Sequence, residues 1–370
     1  MELKTTPFHA EHVALGAKMA EFAGYDMPIQ YTSIIEEHHN VRNNVGVFDV
    51  SHMGEFRAKG PAAKHFMQYV TVNDVEALSD GKVQYTCMPN GQGGIVDDML
   101  VYRVRDDEYF MVPNAANIDK DWRWMSQIAD KMGMTLGVDF VNESEQWAQL
   151  AVQGPNALKA MQKLTESKIE DMEYYTFQTL TFAGVEDVIL STTGYTGAGG
   201  CEIYIPAAHA KQVWDAVFQA GKEFGIMPAG LGCRDTLRLE KGFCLYGHEM
   251  DDTISPLEAP LAWITKLKAE NNTFINKELF LAQKAAGVRR KVTGFEMVDH
   301  GIARNGYEVQ DAQGNKIGEV RSGSMSPSTG KNIGTALVRA EFAKTGTELF
   351  IQCGKRTLKA VTVKMPFYDK

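Results

Sequence analysis

Gly93-Gly94-Ile95-Val96-Asp97-Asp98-Met99-Leu100-Val101-Tyr102 is the stretch whose reading decides the fold. Turn residues open it, and β-branched and aromatic residues fill it, so it predicts a β-strand. Side chains on a strand alternate faces. Ile95, Asp97, Met99 and Val101 share one side; Val96, Asp98, Leu100 and Tyr102 share the other. Each carboxylate therefore has apolar neighbours on its own face. If either face is buried, an acid is buried with it, at a cost of several kcal/mol unless a partner or a proton compensates. The alternative is an edge strand with two solvated acids.

Outward from that strand the chain reads as an α+β protein. A short helix within residues 7–20 leads into an extended segment through Tyr31. Ser33 precedes a helix over Ile34 to Asn43, with Glu36 placed as its capping-box partner. Strands at Val83–Met88 and Tyr109–Val112 flank the opening stretch, and Asn117 to Met132 has helical apolar spacing. One pattern then recurs. Gly60-Pro61 and Gly154-Pro155 each follow a strand and each open a helix. Aligned from those glycines, six of twelve positions are identical. The repeat implies two related α/β subdomains. A further helix is predicted over Cys233–Lys241, ended by Gly242, and another over Lys277–Ala286. From Arg289 to Val363 only short strands and turn signals remain, an all-β barrel or sandwich pattern. The domains predicted are 1–285 and 286–370.

The chain has 370 residues and a net charge of -9, from 38 basic and 47 acidic side chains. An acidic chain without a long basic run argues against nucleic-acid binding. Arg289-Arg290-Lys291, its densest basic cluster, reads as a solvated face. Five cysteines without a C-x-x-C pair argue against a disulfide framework or a zinc site and fit a reducing compartment. No apolar run has transmembrane length and the N-terminus lacks a signal-peptide core, so a soluble, cytoplasmic protein is expected, with no membrane partner.

Thr192 to Glu202 forms a Gly-rich loop between two strands. It fits no phosphate-cradle pattern. It can bring backbone close to a flat ligand, with Tyr195 to stack and Glu202 to accept N–H donors, or it is simply a flexible hairpin. Arg234 and Asp235 are expected to open the helix carrying Arg238 and Glu240, where an internal salt-bridge network is the plain explanation. The histidines never form H-E-x-x-H, and no metal site is expected. No Ser or Cys nucleophile elbow is present.

Taken together the segments resemble the glycine-cleavage T-protein family of aminomethyltransferases. The resemblance is carried by Thr6-Pro7, Gly46-Val47-Phe48-Asp49-Val50-Ser51-His52-Met53, Gly93-Gly94-Ile95-Val96-Asp97-Asp98 and Gln153-Gly154-Pro155. It continues through Gly194-Tyr195-Thr196-Gly197, the run Arg234 to Glu240, Leu245-Tyr246-Gly247, Ser326-Pro327-Ser328 and Lys364-Met365-Pro366-Phe367. It implies two interleaved α/β subdomains and a C-terminal all-β barrel, arranged as a clover-leaf around a central folate channel. It also implies transfer of the methylene of the aminomethyl-lipoyl arm of H-protein to tetrahydrofolate, the one-carbon acceptor, with release of ammonia and formation of 5,10-methylenetetrahydrofolate. Lipoylated H-protein is then the partner, and an acidic chain meeting an acidic carrier would need a local basic surface such as Arg289-Arg290-Lys291. Carried over by position, Asp98 is the catalytic acid, Glu202 binds the pterin edge, and Arg234 contacts folate polar groups. Met53, Tyr85, Asn114, Tyr195 and Trp263 line or flank the channel. Tyr368 stands alone in the short tail after Phe367. Asp97 is left as a structural or solvated partner.

Two other readings stay open. One is a folate-dependent demethylase of the same fold. The other is a non-enzymatic folate-binding factor for iron–sulfur maturation, loosely echoed by Lys241-Gly242-Phe243-Cys244-Leu245-Tyr246-Gly247-His248-Glu249. Cys244 otherwise reads as a buried structural cysteine.

Overall fold

A computed structural model describes residues 3–268 and 272–369. The chain is α+β and divides into two units. The first comprises Met1–Met67, Val75–Tyr85 and Met99–Asp235; the second comprises Gln68–Asp74, Thr86–Asp98 and Thr236–Lys370. The strand Ile95–Arg105 is thus shared, with both aspartates in the second unit's portion.

The first unit is built on a six-stranded sheet. Its order is Phe177–Phe182, Val185–Ser191, Gly200–Pro206, Trp147–Gln153, Val45–Asp49 and Ile226–Pro228. Only the last pairing is parallel. One face packs an apolar core in which Val47, Leu150, Val152, Leu190 and Ile203 meet Val213, Trp214 and Val217 of the helix Ala210–Gly221. Alternation sends the intervening residues of the same strands, Gln149, Gln153, Glu202 and Tyr204, to the opposite face. There a second cluster forms, where Tyr102, Phe110 and Val112 pack with Phe177, Ile189 and Tyr204. Phe110 and Tyr204 meet edge to face at 5.3 Å.

Local predictions hold where capping or periodicity was strong. The helix Ile34–Asn43 begins at Ser33, whose Oγ accepts from the Glu36 N–H at 3.2 Å. The extended segment before it is a hairpin, Lys18–Phe22 with Tyr25–Gln30. The repeated strand–Gly-Pro–helix units are both present, and Gly60 and Gly154 both adopt positive φ. Their helices start at Ala63 and Ala157, so each Pro lies in the preceding turn rather than at the first helical position.

The second unit contains a closed six-stranded barrel running from Arg290–Met297 to Arg356–Val363. Phe295, Val309, Val320, Val338 and Ile351 fill it. Among the described residues no helix is long and apolar enough to cross a membrane.

Candidate functional site

In the second unit the aspartate strand is anchored through its glycine entry. A Cβ on Gly94 would stand 1.8 Å from the Asp252 carbonyl oxygen, so only glycine fits there. Ile95 N–H donates to the Asp251 carbonyl at 3.0 Å, and the Tyr246 hydroxyl donates to the Ile95 carbonyl at 3.0 Å. Both acids are buried: Asp97 is 0% exposed and Asp98 9%. The solvated alternative for Asp97 is thereby corrected, because none of that residue's surface reaches solvent. Burial pushes the Cys87 thiol well up, and the charges of Asp98 and then Asp97 add to it. Burial does the same to Cys244, with Glu249 and Asp98 contributing. Asp98 thus sits among inert, protonated thiols, and Cys244 is buried as expected of a structural cysteine.

In the first unit the centre is Glu202, on the strand Gly200–Pro206 that leaves the Gly-rich loop. Thr193 Oγ1 donates to its Oε2 at 2.5 Å. Ser191 Oγ lies 2.9 Å from Thr193 Oγ1, the Tyr102 hydroxyl 3.3 Å from it, and the Tyr204 hydroxyl 2.8 Å from that of Tyr102. Each hydroxyl has one proton. Thr193 gives its proton to Glu202, so Ser191 and Tyr102 must give theirs to Thr193, and Tyr204 must give its to Tyr102. The buried chain is therefore polarised toward Glu202. Burial raises the Glu202 carboxyl above its ordinary range, opposed by the Thr193 hydrogen bond and the Arg234 charge.

Arg234 holds its guanidinium 4.8 Å from the Tyr195 ring centroid. It lies in the helix Leu231–Glu240, which starts two residues before the predicted start at Cys233. Burial lowers His52 to about 4, against the pull of Asp49 and reinforced by Arg234, so its ring is neutral. Its Nδ1 has no hydrogen-bond partner. Neither carboxyl oxygen of Glu55 has one either, and burial, then Glu143, pushes that acid well above its usual range. Native interiors rarely leave such groups unmade.

The remaining predicted residues are placed as follows. Half-buried Met53 packs on the Tyr102–Phe110–Tyr204 cluster. Tyr85 is half-buried on the strand Val83–Pro89, and Asn114 precedes the short 3-10 turn Ala115–Asn117. The first unit thus holds Met53, Tyr85, Asn114, Tyr195, Glu202 and Arg234, while Asp98 and Trp263 belong to the second. Trp263 is 65% exposed, so the ordinary expectation of a core tryptophan does not apply. Tyr368 lies against Lys241, 5.7 Å from its Nζ to the ring centroid. Arg238 does not stay within its own helix: it pairs with Glu249 at 3.1 Å and donates to Ser322 at 3.0 Å. Sequence reading missed Thr193, Gln149, His52 and Glu55. Nothing in the sequence says which hydroxyl meets which acid.

Comparison with known proteins decides the family. The model for the GCVT N-terminal domain matches residues 8–269, and that for the glycine cleavage T-protein C-terminal barrel domain matches 290–369. The chain belongs to the glycine cleavage T-protein family. An aminomethyltransferase of Bacteroides fragilis is 56% identical over 365 residues, covering 99% of each chain. One from Bdellovibrio bacteriovorus is 44% identical over the full length of both. The crystal structure of the glycine cleavage system aminomethyltransferase T from Bartonella henselae superposes with a TM-score of 0.89 at 28% identity, covering 99% of this chain and 98% of that one. As a T-protein family member the chain is an enzyme, an aminomethyltransferase.

Proposed function

We propose that this aminomethyltransferase transfers the methylene of an aminomethyl-lipoyl arm, carried by H-protein, to tetrahydrofolate in the cytoplasm. Ammonia, the reduced lipoyl arm and 5,10-methylenetetrahydrofolate are the products. The observation that carries the reading is Glu202: a buried carboxylate with one oxygen held by a polarised hydroxyl chain and the other met only by the Gln149 amide at 3.5 Å. A pterin edge presents the paired N–H donors that suit it. In the same proposal Arg234 contacts polar groups of the folate, and Tyr195, already stacked with it, flanks the ring. Met53, Tyr85, Asn114 and Trp263 are further residues assigned to folate binding in this proposal. The residues fall functionally into a folate-binding region over 1–285 and a barrel domain over 286–370.

The two folate amines each supply an electron pair to the methylene carbon as its bonds to the amino nitrogen and to the lipoyl sulfur break, and the two amine protons leave on ammonia and on the reduced lipoyl thiol. Positive charge develops at the methylene before attack is complete. Asp98 is the group assigned to stabilise it, since a buried carboxylate acts through a low dielectric. Asp98→Asn is expected to lower the transfer rate about 10²-fold or more and to weaken folate binding much less. Ammonia release from aminomethylated H-protein is the readout. Release that does not depend on added tetrahydrofolate defeats the proposed function. Turnover of Asp98→Asn at the native rate removes Asp98 from the chemistry.

For the carrier, the basic run narrows. Arg290 is tied to Glu258 at 3.0 Å and to the Thr253 carbonyl, whereas Arg289 and Lys291 are exposed. Reversing Arg289 and Lys291 to Glu is expected to raise KM for H-protein several-fold at low salt and less at high salt. A salt-independent KM would remove this surface from docking.

A further inference from the structure

The Glu202 site has a second acceptor that no role yet accounts for. Gln149 lies on the strand Trp147–Gln153, directly opposite Tyr204 in the neighbouring strand. Its flanking residues Ala148 and Leu150 belong to the apolar core, so its own side chain projects to the other face, with Glu202. It is 1% exposed. Ser51 fixes this part of the strand: its Oγ accepts from the Gln149 backbone N–H at 2.9 Å.

The amide's orientation follows from its neighbour. Nε2 faces Glu202 Oε1 at 3.5 Å, a contact at the limit of a hydrogen bond. Turning the amide over would set its carbonyl against a carboxylate. The carbonyl oxygen is therefore directed elsewhere, and there it has no hydrogen-bond partner although the atom is buried. A buried carbonyl without a donor is costly, and a leucine of similar volume would avoid the cost. Thr193 already occupies Glu202 Oε2. Glu202 Oε1 has only the long contact from Gln149 Nε2, and Gln149 Oε1, on the same face of the sheet, has no donor.

We propose that Gln149 is a ligand-binding and specificity-determining residue, whose side-chain oxygen accepts an N–H from the same donor-rich heterocycle edge that Glu202 binds. The inference rests on the reading of Glu202 as the pterin contact. An aminopyrimidinone edge fits the pair: an exocyclic amino group has two hydrogens, and one carboxylate oxygen can take only part of what that edge offers. Because Gln149 is neutral, it adds an acceptor without adding a second charge to an already desolvated carboxylate. It binds; it takes no part in bond making.

The test is calorimetric binding of tetrahydrofolate, and of its 2-desamino analogue, to the full chain carrying Gln149→Leu, with Gln149→Met as a second volume-conserving variant. Either variant is expected to weaken tetrahydrofolate about three- to tenfold, the effect of one neutral hydrogen bond. Binding of the 2-desamino analogue is expected to match the native protein. In turnover, KM for tetrahydrofolate rises while kcat at saturation is unchanged, and the unfolding midpoint is equal or higher. Native affinity for tetrahydrofolate in both variants overturns the proposal, as does equal weakening toward both ligands. Glu202→Gln separates the two levels. If it weakens tetrahydrofolate while Gln149→Leu does not, Gln149 alone is excluded. If Glu202→Gln also binds normally, the pterin reading of this site fails.

Discussion

Glu249 in the second unit and Glu202 in the first are both buried glutamates, yet the protein treats them oppositely. Glu249 Oε2 accepts from Arg238 at 3.1 Å and from the Leu245 N–H at 2.9 Å, while Oε1 accepts from Thr335 at 2.5 Å. Despite burial its carboxyl is held below the usual range, through Arg238 and the hydroxyls of Ser322 and Thr335. Glu202 has one close donor and is pushed up by burial, and Glu55 has none. Burial is common to all three; the donors and the neighbouring charges differ. A fully satisfied buried acid spends its hydrogen-bonding capacity on the fold. One left short keeps that capacity for a ligand or keeps its proton.

The contrast can be broken at either end. The largest effect is expected from Arg238→Met, which leaves Glu249 buried and uncompensated. Urea denaturation should show a loss of about 3–5 kcal/mol, and adding Glu249→Leu should recover most of it. Little loss from the single change would mean that Glu249 is held by its hydroxyls alone. Next comes Thr193→Val, which removes Glu202's one close donor. Tetrahydrofolate binding is expected to weaken about tenfold or more, the scale of a hydrogen bond to a charged group, with a small change in stability. A folding defect larger than the binding defect would move Glu202 into the structural class.

Glu55→Gln gives the smallest effect, and its sign depends on pH. The unfolded chain releases this proton near the ordinary value of 4.5, whereas the native protein holds it to well above that. Between those two values the native state binds the additional proton, so Glu55 costs stability progressively as pH rises. Glutamine removes that dependence. The variant should match the native protein near pH 4 and unfold at a higher temperature near pH 8. A variant less stable at pH 8 would show that Glu55 is ionised and held by a partner in the native protein.

The fold was legible wherever one local rule acted alone. Ser33 as a cap, the helix Lys277–Ala286, the strand around Asp98 and the barrel after Arg290 follow from capping, spacing or turn chemistry. The site was legible as residue types on strands and loops, because alternation separates Asp97 from Asp98 and sets Glu202 beside a glycine-rich turn. Its connections were not. The sequence separation between Tyr102 and Tyr204, or between Thr193 and Tyr102, is about a hundred residues. No local rule spans that distance, so the direction of the hydroxyl chain emerges only from the packed sheets. Arg238 misled for the same reason, since its partner lies outside the helix that the spacing describes.

The single file of protons from Tyr204 through Tyr102 and Thr193 also makes an optical instrument. A phenol's ring and C–O vibrations shift according to whether its oxygen donates, accepts or does both. Tyr102 does both and Tyr204 donates to it, so long as Glu202 demands a proton at the end of the line. Protonating or capping Glu202 lifts that demand and frees the two phenols to reverse. Isotope-edited infrared difference spectra of those tyrosines would then record the electrical state of a carboxylate several side chains away, in the unmodified enzyme and without a probe in the site.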